Sequence, residues 1–216
     1  MKIVSIIPIK LNNERFPGKN IKEMADGRPL ISHILNTLSK VDKISERYVF
    51  CSDDEIKNYL TEDIMFLKRD KVLDESTSNF TQIFDSFKKK VDADIYVFTH
   101  ATAPFLSEKT INECIDKVVS GEYDSAFTAK MIRDFVWING QPNYDTKNIP
   151  RTQDLVPILV ETSGMYVFTK KVWETRRSRI GGNPYICKVS EMESVDINYP
   201  DDFELANAWL AKKKEV

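Results

Sequence analysis

Three cations, Lys10, Arg15 and Lys19, gather directly after the short β-branched run at residues 2–9, in a polar segment that also carries Asn12, Asn13, Pro17, Gly18 and Asn20. A buried parallel strand that empties into such a loop places positive charge in the crevice outside the strand's carboxyl end, where open α/β sheets bind ligands. Exposed backbone N–H groups around Asn12, Asn13 and Gly18 would add to an anion cradle. A solvated basic loop has the same composition, and spacing alone leaves the two readings level. Near the other end, Asp196 and Asn198 stand two apart on an extended stretch, so their oxygens point the same way. That arrangement suits a hard divalent cation bridging to phosphates, here with one carboxylate and one neutral amide. Asp53 and Asp54 invite a metal too, but they sit where a following helix wants acidic caps, and capping is expected. His100, at a strand end, is by itself more often a hydrogen-bonded surface residue than a catalyst.

The elements that must carry these residues alternate between strand and helix. Strands are expected over 2–9, 47–52, 63–69, 94–99, 124–130 and 185–189, from short apolar, β-branched or aromatic runs. Residues 29–41 read as a helix with Leu30, Ile31, Ile34, Leu35 and Leu38 on one face and Pro29 in its first turn. Further helices are expected at 53–60, at 79–91 with Ser76 or Ser78 as cap, and at 108–120. Residues 170–179 read as a basic helix or turn with a solvated face. A final helix after Asp202 should pack Phe203, Leu205, Ala206, Trp209 and Leu210 inward. Residues 133–157, rich in Trp, Asn, Pro and Tyr and without helical period, read as an excursion from the sheet; Phe135, Trp137 and Tyr144 would need cover, which an interface supplies.

At 216 residues, with 42% hydrophobic and 30% charged side chains, the chain fits a single α/β domain with a real core. Its net charge of -2 argues against bulk attraction to nucleic acid, so an anion site must be local. Cys51, Cys114 and Cys187 are scattered and odd in number, as expected of reduced thiols in a cytoplasm without a disulfide or zinc framework. Met1 leads straight into the first strand, and no apolar run approaches ~18 residues, so a cytoplasmic protein that does not span a membrane is expected. Neither G-x-G-x-x-G nor G-x-x-x-x-G-K-[ST] occurs, which disfavours a standard dinucleotide fold or a P-loop NTPase.

Residues 7–10 (Ile-Pro-Ile-Lys) and 15–20 (Arg-Phe-Pro-Gly-Lys-Asn) resemble the amino-terminal nucleotide-binding loop of the sugar cytidylyltransferases, in particular the synthetases of CMP-activated sialic and related nonulosonic acids. The family usually shows Ala-Arg at Ile9 and Lys10, and often Ser at Asn13. Lys10 keeps the charge but lacks the planar fork. The turn from His100 to Pro104 resembles a second family signature and, over 101–105, the pseudaminic acid branch. Residues 150–155 resemble a third. Residues 160–167 match Glu-Asn-Gly-x-x-Tyr, with Val160 where many relatives carry Arg. Residues 194–203 resemble the fourth, Asp-Ile-Asp-Thr-Pro-Glu-Asp-Phe, with Asn198 in place of the second Asp.

The resemblance implies a doubly wound, three-layer α/β nucleotidyltransferase with a mostly parallel sheet, one domain over residues 1–216 with 133–157 as an arm that reaches a second subunit in a homodimer. CTP would lie against Lys10, Asn12, Asn13, Arg15, Lys19, Asn20, Arg69 and Ser78. The sugar acid would meet His100, Thr102, Lys130, Arg151, Gln153, Glu161 and Tyr166, with Arg151 or Lys130 serving in place of the cation absent at Val160. Mg²⁺ or Mn²⁺ would bind Asp196 and Asn198. The implied reaction joins CTP to the anomeric hydroxyl of a nine-carbon 2-keto-3-deoxy acid by in-line attack on the α-phosphorus, with Lys10, Arg15, Lys19 and Asp196 as the catalytic set and pyrophosphate as the leaving group. Taken without the family, Gly164 reads equally as a strand bulge and Tyr166 as a core tyrosine. Two alternatives remain. One is a cytidylyltransferase for the eight-carbon acid Kdo, whose branch typically carries an Asp in the turn at His100. The other is a nucleotide- or sugar-binding relative without catalysis, which Lys10, Val160 and Asn198 keep open.

Overall fold

The computed structural model describes residues 1–214. In chain order its main elements are β1 (Ile3–Ile9), α1 (Leu30–Ser39), β2 (Glu46–Cys51), β3 (Ile64–Lys68), α2 (Phe80–Lys88), β4 (Ile95–Thr99), α3 (Glu108–Val119) and β5 (Ser125–Ile132). There follow β6 (Trp137–Ile138), β7 (Gln141–Pro142), β8 (Ile158–Thr169), α4 (Lys170–Arg176), β9 (Pro184–Lys188) and α5 (Pro200–Lys214).

The strands that read as continuous apolar runs are the ones covered on both faces. β1 and β4 lie side by side and parallel at the middle of a seven-stranded sheet of order β3-β2-β1-β4-β8-β5-β9, in which β8 runs antiparallel to both of its neighbours. Because successive strand side chains alternate, Ile3, Ile7 and Ile9 of β1 face one core with Ile95 and Val97 of β4, while Val4 and Ile6 face the other with Tyr96 and Phe98. The first core is aliphatic and is closed by Ile31, Ile34, Leu35 and Leu38 of α1 and by Ile111, Ile115 and Val118 of α3. The second is aromatic: Phe84 of α2 stands edge-on to Trp173 of α4 at 4.6 Å and to Tyr96 at 4.8 Å between ring centres. Helices on both faces of a mostly parallel sheet make the expected three-layer, doubly wound form.

Several local expectations are corrected. The cap of α2 is Asn79, not Ser76 or Ser78. Its side chain accepts from Gln82 N at 3.1 Å while the Gln82 side chain accepts from Asn79 N at 2.9 Å, a reciprocal capping box that a serine one residue earlier cannot form. Ser78 instead donates its hydroxyl to the Val72 carbonyl at 3.2 Å. Asp53 caps a 3-10 helix over Asp54–Tyr59, so the capping reading of that pair holds for Asp53, while Asp54 pairs with Lys57 and Lys68. On α5, Phe203 and Ala206 are buried and Leu210 is half-buried, but Leu205 and Trp209 are exposed. The spacing explains it: positions 203, 206 and 210 share one face of a helix, and 205 and 209 share another.

Residues 133–157 leave the main sheet. β6 and β7 pair antiparallel through Asn139 and Gly140, at φ 51 and 77, the backbone that a two-residue hairpin turn of this sequence adopts. The segment keeps Phe135, Trp137, Ile138, Ile149 and Val156 exposed. No helix among the described residues is long and apolar enough to cross a membrane.

Candidate active site

The chain winds from β1 outward to β2 and β3, then returns to lay β4 on the other side of β1. The two carboxyl ends therefore diverge into loops above a crevice, the place where doubly wound sheets bind ligands. A cleft of about 410 Å³ opens there, between the loop after β1 and the turn after β4. Of the residues expected to meet nucleotide, sugar or metal, it gathers Lys10, Asn13, Arg15, Lys19, Asn20, Arg69, Ser78, His100, Thr102, Asp196 and Asn198.

Its basic wall is built by the loop after β1. Asn20 is buried and ties the loop to itself, its Nδ2 donating to the Lys10 carbonyl at 3.0 Å and to Asn13 Oδ1 at 3.3 Å. Gly18, at φ 68, turns the chain into the 3-10 helix Lys19–Ile21. Arg15 stays exposed, its guanidinium 5.4 Å from the ring centre of Tyr199. Lys10 Nζ donates to the Asp74 carbonyl at 2.9 Å. Arg69 is buried and pairs with the Asp74 carboxylate, which also accepts from Ser52.

Lys19 is not the exposed loop cation that its sequence context suggests. It is buried, and its Nζ donates to the Ile197 carbonyl at 2.6 Å. Burial pushes its pKa down, partly offset by the nearby Asp196 carboxylate. Lys19 thus holds the loop that carries Asp196. Three further bonds fix that loop: Ile197 N donates to the Thr102 carbonyl at 2.9 Å, and Asn198 N and Tyr199 N both donate to Asp202 Oδ2 at 2.8 Å. Asn198 Nδ2 donates to Asp196 Oδ2 at 2.7 Å, so the pair does lie together on the cleft wall. Among the described residues no group of three or more His, Cys, Asp and Glu side chains could hold a metal unaided. One carboxylate and one amide on the wall of a cleft lined by cations do fit Mg²⁺, which commonly binds through one or two carboxylates plus substrate phosphates.

The turn after β4 supplies His100. Its Nε2 is buried with no hydrogen-bond partner among the described residues, and its pKa is pushed down to about 4, first by burial and then by the charge of Arg179. The ring is therefore neutral at pH 7. Arg179 is the functional candidate that sequence reasoning missed, having been folded into the solvated basic stretch at 170–179. Arg177 (φ 53) ends α4 in the left-handed conformation and redirects the chain, and Arg179 enters the cleft. Its guanidinium carbon lies 3.6 Å from the ring centre of Tyr166 and 5.0 Å from that of Phe80. Nη2 donates to Tyr166 Oη at 2.9 Å and stands 3.6 Å from Glu161 Oε1. The available signal was Gly181 and Gly182 just beyond it: Gly181 N donates to Ser125 Oγ at 2.8 Å, while Gly182 N and Asn183 N donate to the Asp124 carboxylate at 2.7 and 3.1 Å. A Cβ at Gly181 would lie 2.1 Å from Asp124 Oδ1, so any other residue there must displace the carboxylate that anchors this loop.

The other expected site residues lie outside the cleft. Asn12 lines a neighbouring hollow with Ser52, Asp53 and Lys68. Tyr166 is fully buried in the aromatic core, as the core-tyrosine reading has it, and Glu161 accepts from its hydroxyl; together they support Arg179. Lys130 stands 3.8 Å from Glu191, and Arg151 pairs with Asp154 at 2.7 Å on the exposed arm, beside Gln153. Neither Lys130 nor Arg151 supplies a cation to this chain's own cleft. β8 is irregular opposite Thr128, where the ladder with β5 slips between Phe127 and Ala129, and Ser163, at φ 58, lines the cleft.

Known proteins share this sequence pattern and fold. N-acylneuraminate cytidylyltransferase B of Danio rerio is 28% identical over 215 aligned positions, covering 94% of this chain and 50% of its own length. 3-Deoxy-manno-octulosonate cytidylyltransferase 2 of Hydrogenovibrio crunogenus is 26% identical, covering 97% of this chain and 98% of its own. The chain thus spans about half the length of the N-acylneuraminate relatives and nearly all of the octulosonate one. A solved structure of CMP:2-keto-3-deoxy-manno-octonic acid synthetase complexed with CTP superposes with a TM-score of 0.73 over 99% of this chain and 100% of that one, at 17% identity, which shows a shared fold. The family model described as cytidylyltransferase matches residues 4–146, from β1 through the arm hairpin and including the basic loop and the His100 turn: the chain belongs to the cytidylyltransferase family.

Proposed function

We propose that the protein transfers CMP from CTP to the anomeric hydroxyl of a 2-keto-3-deoxy sugar acid, releasing pyrophosphate. The observation that carries this is the convergence, in one cleft at the β1/β4 switch point, of Lys10, Arg15 and Lys19 with Asp196 and the His100 turn. Lys10 and Arg15 hold the phosphates and take up the charge that develops on pyrophosphate. Lys19 acts from below, fixing Ile197 and so the direction of Asp196. Asp196, with the amide oxygen of Asn198, would hold Mg²⁺, which when bound neutralises phosphate charge. Turning the Asn198 amide over, so that its oxygen and not Nδ2 faces outward with Asp196, costs one hydrogen bond. Neutral His100 and Thr102 offer hydrogen bonds to sugar hydroxyls. No covalent nucleophile is required. Calorimetric titration with the four nucleoside triphosphates tests the nucleotide half: CTP should bind most tightly, and ATP binding at equal or higher affinity would overturn it.

For the acceptor we favour a nine-carbon nonulosonic acid, on the resemblance of residues 101–105 to the pseudaminic acid branch and the absence of an Asp in that turn. The eight-carbon reading has its own support in the octulosonate relative, whose whole length this chain matches. We further infer a homodimer through residues 133–157, in which Arg151 and Gln153 serve the neighbour's cleft, because the arm exposes Trp137, Ile138, Ile149 and Val156 together. Sedimentation at micromolar concentration should give a dimer, and a clean monomer would refute it. A cytoplasmic location agrees with nucleotide chemistry of this kind.

A further inference from the structure

The cleft has a second cationic pole, on the side of β4 away from β1. We propose that Arg179 is the group that recognises the carboxylate of the acceptor sugar, held in cis by Tyr166, Glu161 and the Asp124-bound loop. This assignment rests on the cytidylyltransferase function proposed above.

Three features separate Arg179 from a guanidinium that merely braces Tyr166. First, it is preorganised. One face lies 3.6 Å from the Tyr166 ring centre, and the loop behind it is clamped by the backbone bonds to Asp124 and Ser125. Second, its donors are not used up. Among the described residues only Nη2 makes a hydrogen bond, while Nε and Nη1 make none, and the side chain keeps 25% of its surface open on the cleft. Stacking on an aromatic face leaves the in-plane edge free, and the second Nη2 proton beside Nε–H or Nη1–H makes the fork that a planar carboxylate meets with two parallel bonds. Third, the charge is matched to a monoanion: Glu161, 3.6 Å away, offsets part of the single positive charge, whereas the triphosphate side gathers Lys10, Arg15 and Lys19. The strand order β1-β4-β8 sets the two poles on opposite sides of β4, with His100 at its carboxyl end between them. Both poles reach His100, which feels the charges of Arg179 and of Lys19. That separation suits a phosphate on one side and an acidic sugar ring on the other.

The test uses the full chain and equilibrium binding, so that turnover is not the readout. Wild type, Arg179→Met and Arg179→Lys are titrated with CTP, then, in the presence of a non-hydrolysable CTP analogue, with a panel of N-acetylneuraminic, pseudaminic, legionaminic and 3-deoxy-manno-octulosonic acids and their C1 carboxamides. CTP affinity should stay within about twofold in both variants. For the acid that wild type binds most tightly, Arg179→Met should lose about tenfold or more, with little change for the carboxamide, so the acid-over-amide preference collapses. Arg179→Lys, which keeps charge and stem but not the fork, should fall between, and it decides the matter if the methionine variant does not fold by circular dichroism. An acid-over-amide preference equal to wild type in the folded variants overturns the carboxylate role while leaving the function standing. Wild type that binds neither CTP nor any acid of the panel overturns the function and the carboxylate role together.

Discussion

Replacing Lys19 by Met should weaken the fold and the nucleotide site at once, whereas replacing Arg15 by Met should weaken only the site. Both residues are cations of the same loop, and sequence alone gives them the same task. Lys19, however, is 6% exposed and its ammonium meets the Ile197 carbonyl at 2.6 Å, between Asp196 and the end of the loop. A hydrogen bond from a charged donor contributes about 1.5–3 kcal/mol, and a buried carbonyl left without a partner adds its own penalty. Against this, burial of the ammonium is itself a cost, visible in the lowered pKa, that methionine does not carry. The balance is a net loss of about 1–2 kcal/mol, which for a chain of this size lowers Tm by roughly 2–8 °C. Arg15, exposed and stacked loosely on Tyr199, should change stability by no more than about 0.5 kcal/mol and CTP affinity by about tenfold or more. Differential scanning calorimetry of both variants beside CTP titrations separates the two effects. If Lys19→Met melts at or above the wild-type temperature, the ammonium does not hold the Asp196 loop, and the division of labour between the two cations is wrong.

Three further outcomes follow from the geometry. The pKa of His100 lies near 4 in the fold against 6.5 when solvated, so both states are neutral above pH 6.5, and as pH falls from 6.5 towards 4 the unfolded chain takes up a proton that the folded one refuses. Stability should drop across that window by on the order of 2–3 kcal/mol, and urea melts of His100→Gln should show that part of the acid sensitivity removed. Gly181→Ala drives a methyl group into the Asp124 carboxylate and should cost about 2 kcal/mol or more in thermal melts, while CTP binding is retained; an unshifted melt would show that the loop has room. Asp196→Asn should lower turnover by about 100-fold or more, whereas Asn198→Asp should reduce the Mg²⁺ concentration for half-maximal rate; Mg²⁺ dependence left unchanged by Asp196→Asn would reduce the pair to a helix-capping role.

What the sequence revealed, and what it hid, divides along the range of the interactions. Apolar runs at β1 and β4 declare themselves because both faces are buried, and the helical stripe of α1 because its spacing repeats. The basic loop and the Asp196 segment are local in sequence, and the structure brings them to one cleft. The burial of Lys19 is not legible in its loop, because its partner is a carbonyl far along the chain, at Ile197, which no local pattern reports. Arg179 was hidden among solvated neighbours such as Lys170, which pairs with Asp92, because its path into the cleft depends on a left-handed turn at Arg177 and on the remote Asp124. Tyr166 belongs to a readable motif, yet it faces the aromatic core because the alternation of β8 points it there. On α5, apolar content alone suggested five inward residues; the helical period admits only those near 203, 206 and 210.

The most direct measurement incubates the purified protein with CTP, Mg²⁺ and each acid of the nonulosonic and octulosonic panel, and follows products by mass spectrometry alongside pyrophosphate release. One acid should give a CMP-sugar with one pyrophosphate released per ester formed, and ATP in place of CTP should give none. Pyrophosphate released without a CMP-sugar, or no product from any acid while CTP binds in the cleft, would contradict transfer at this site.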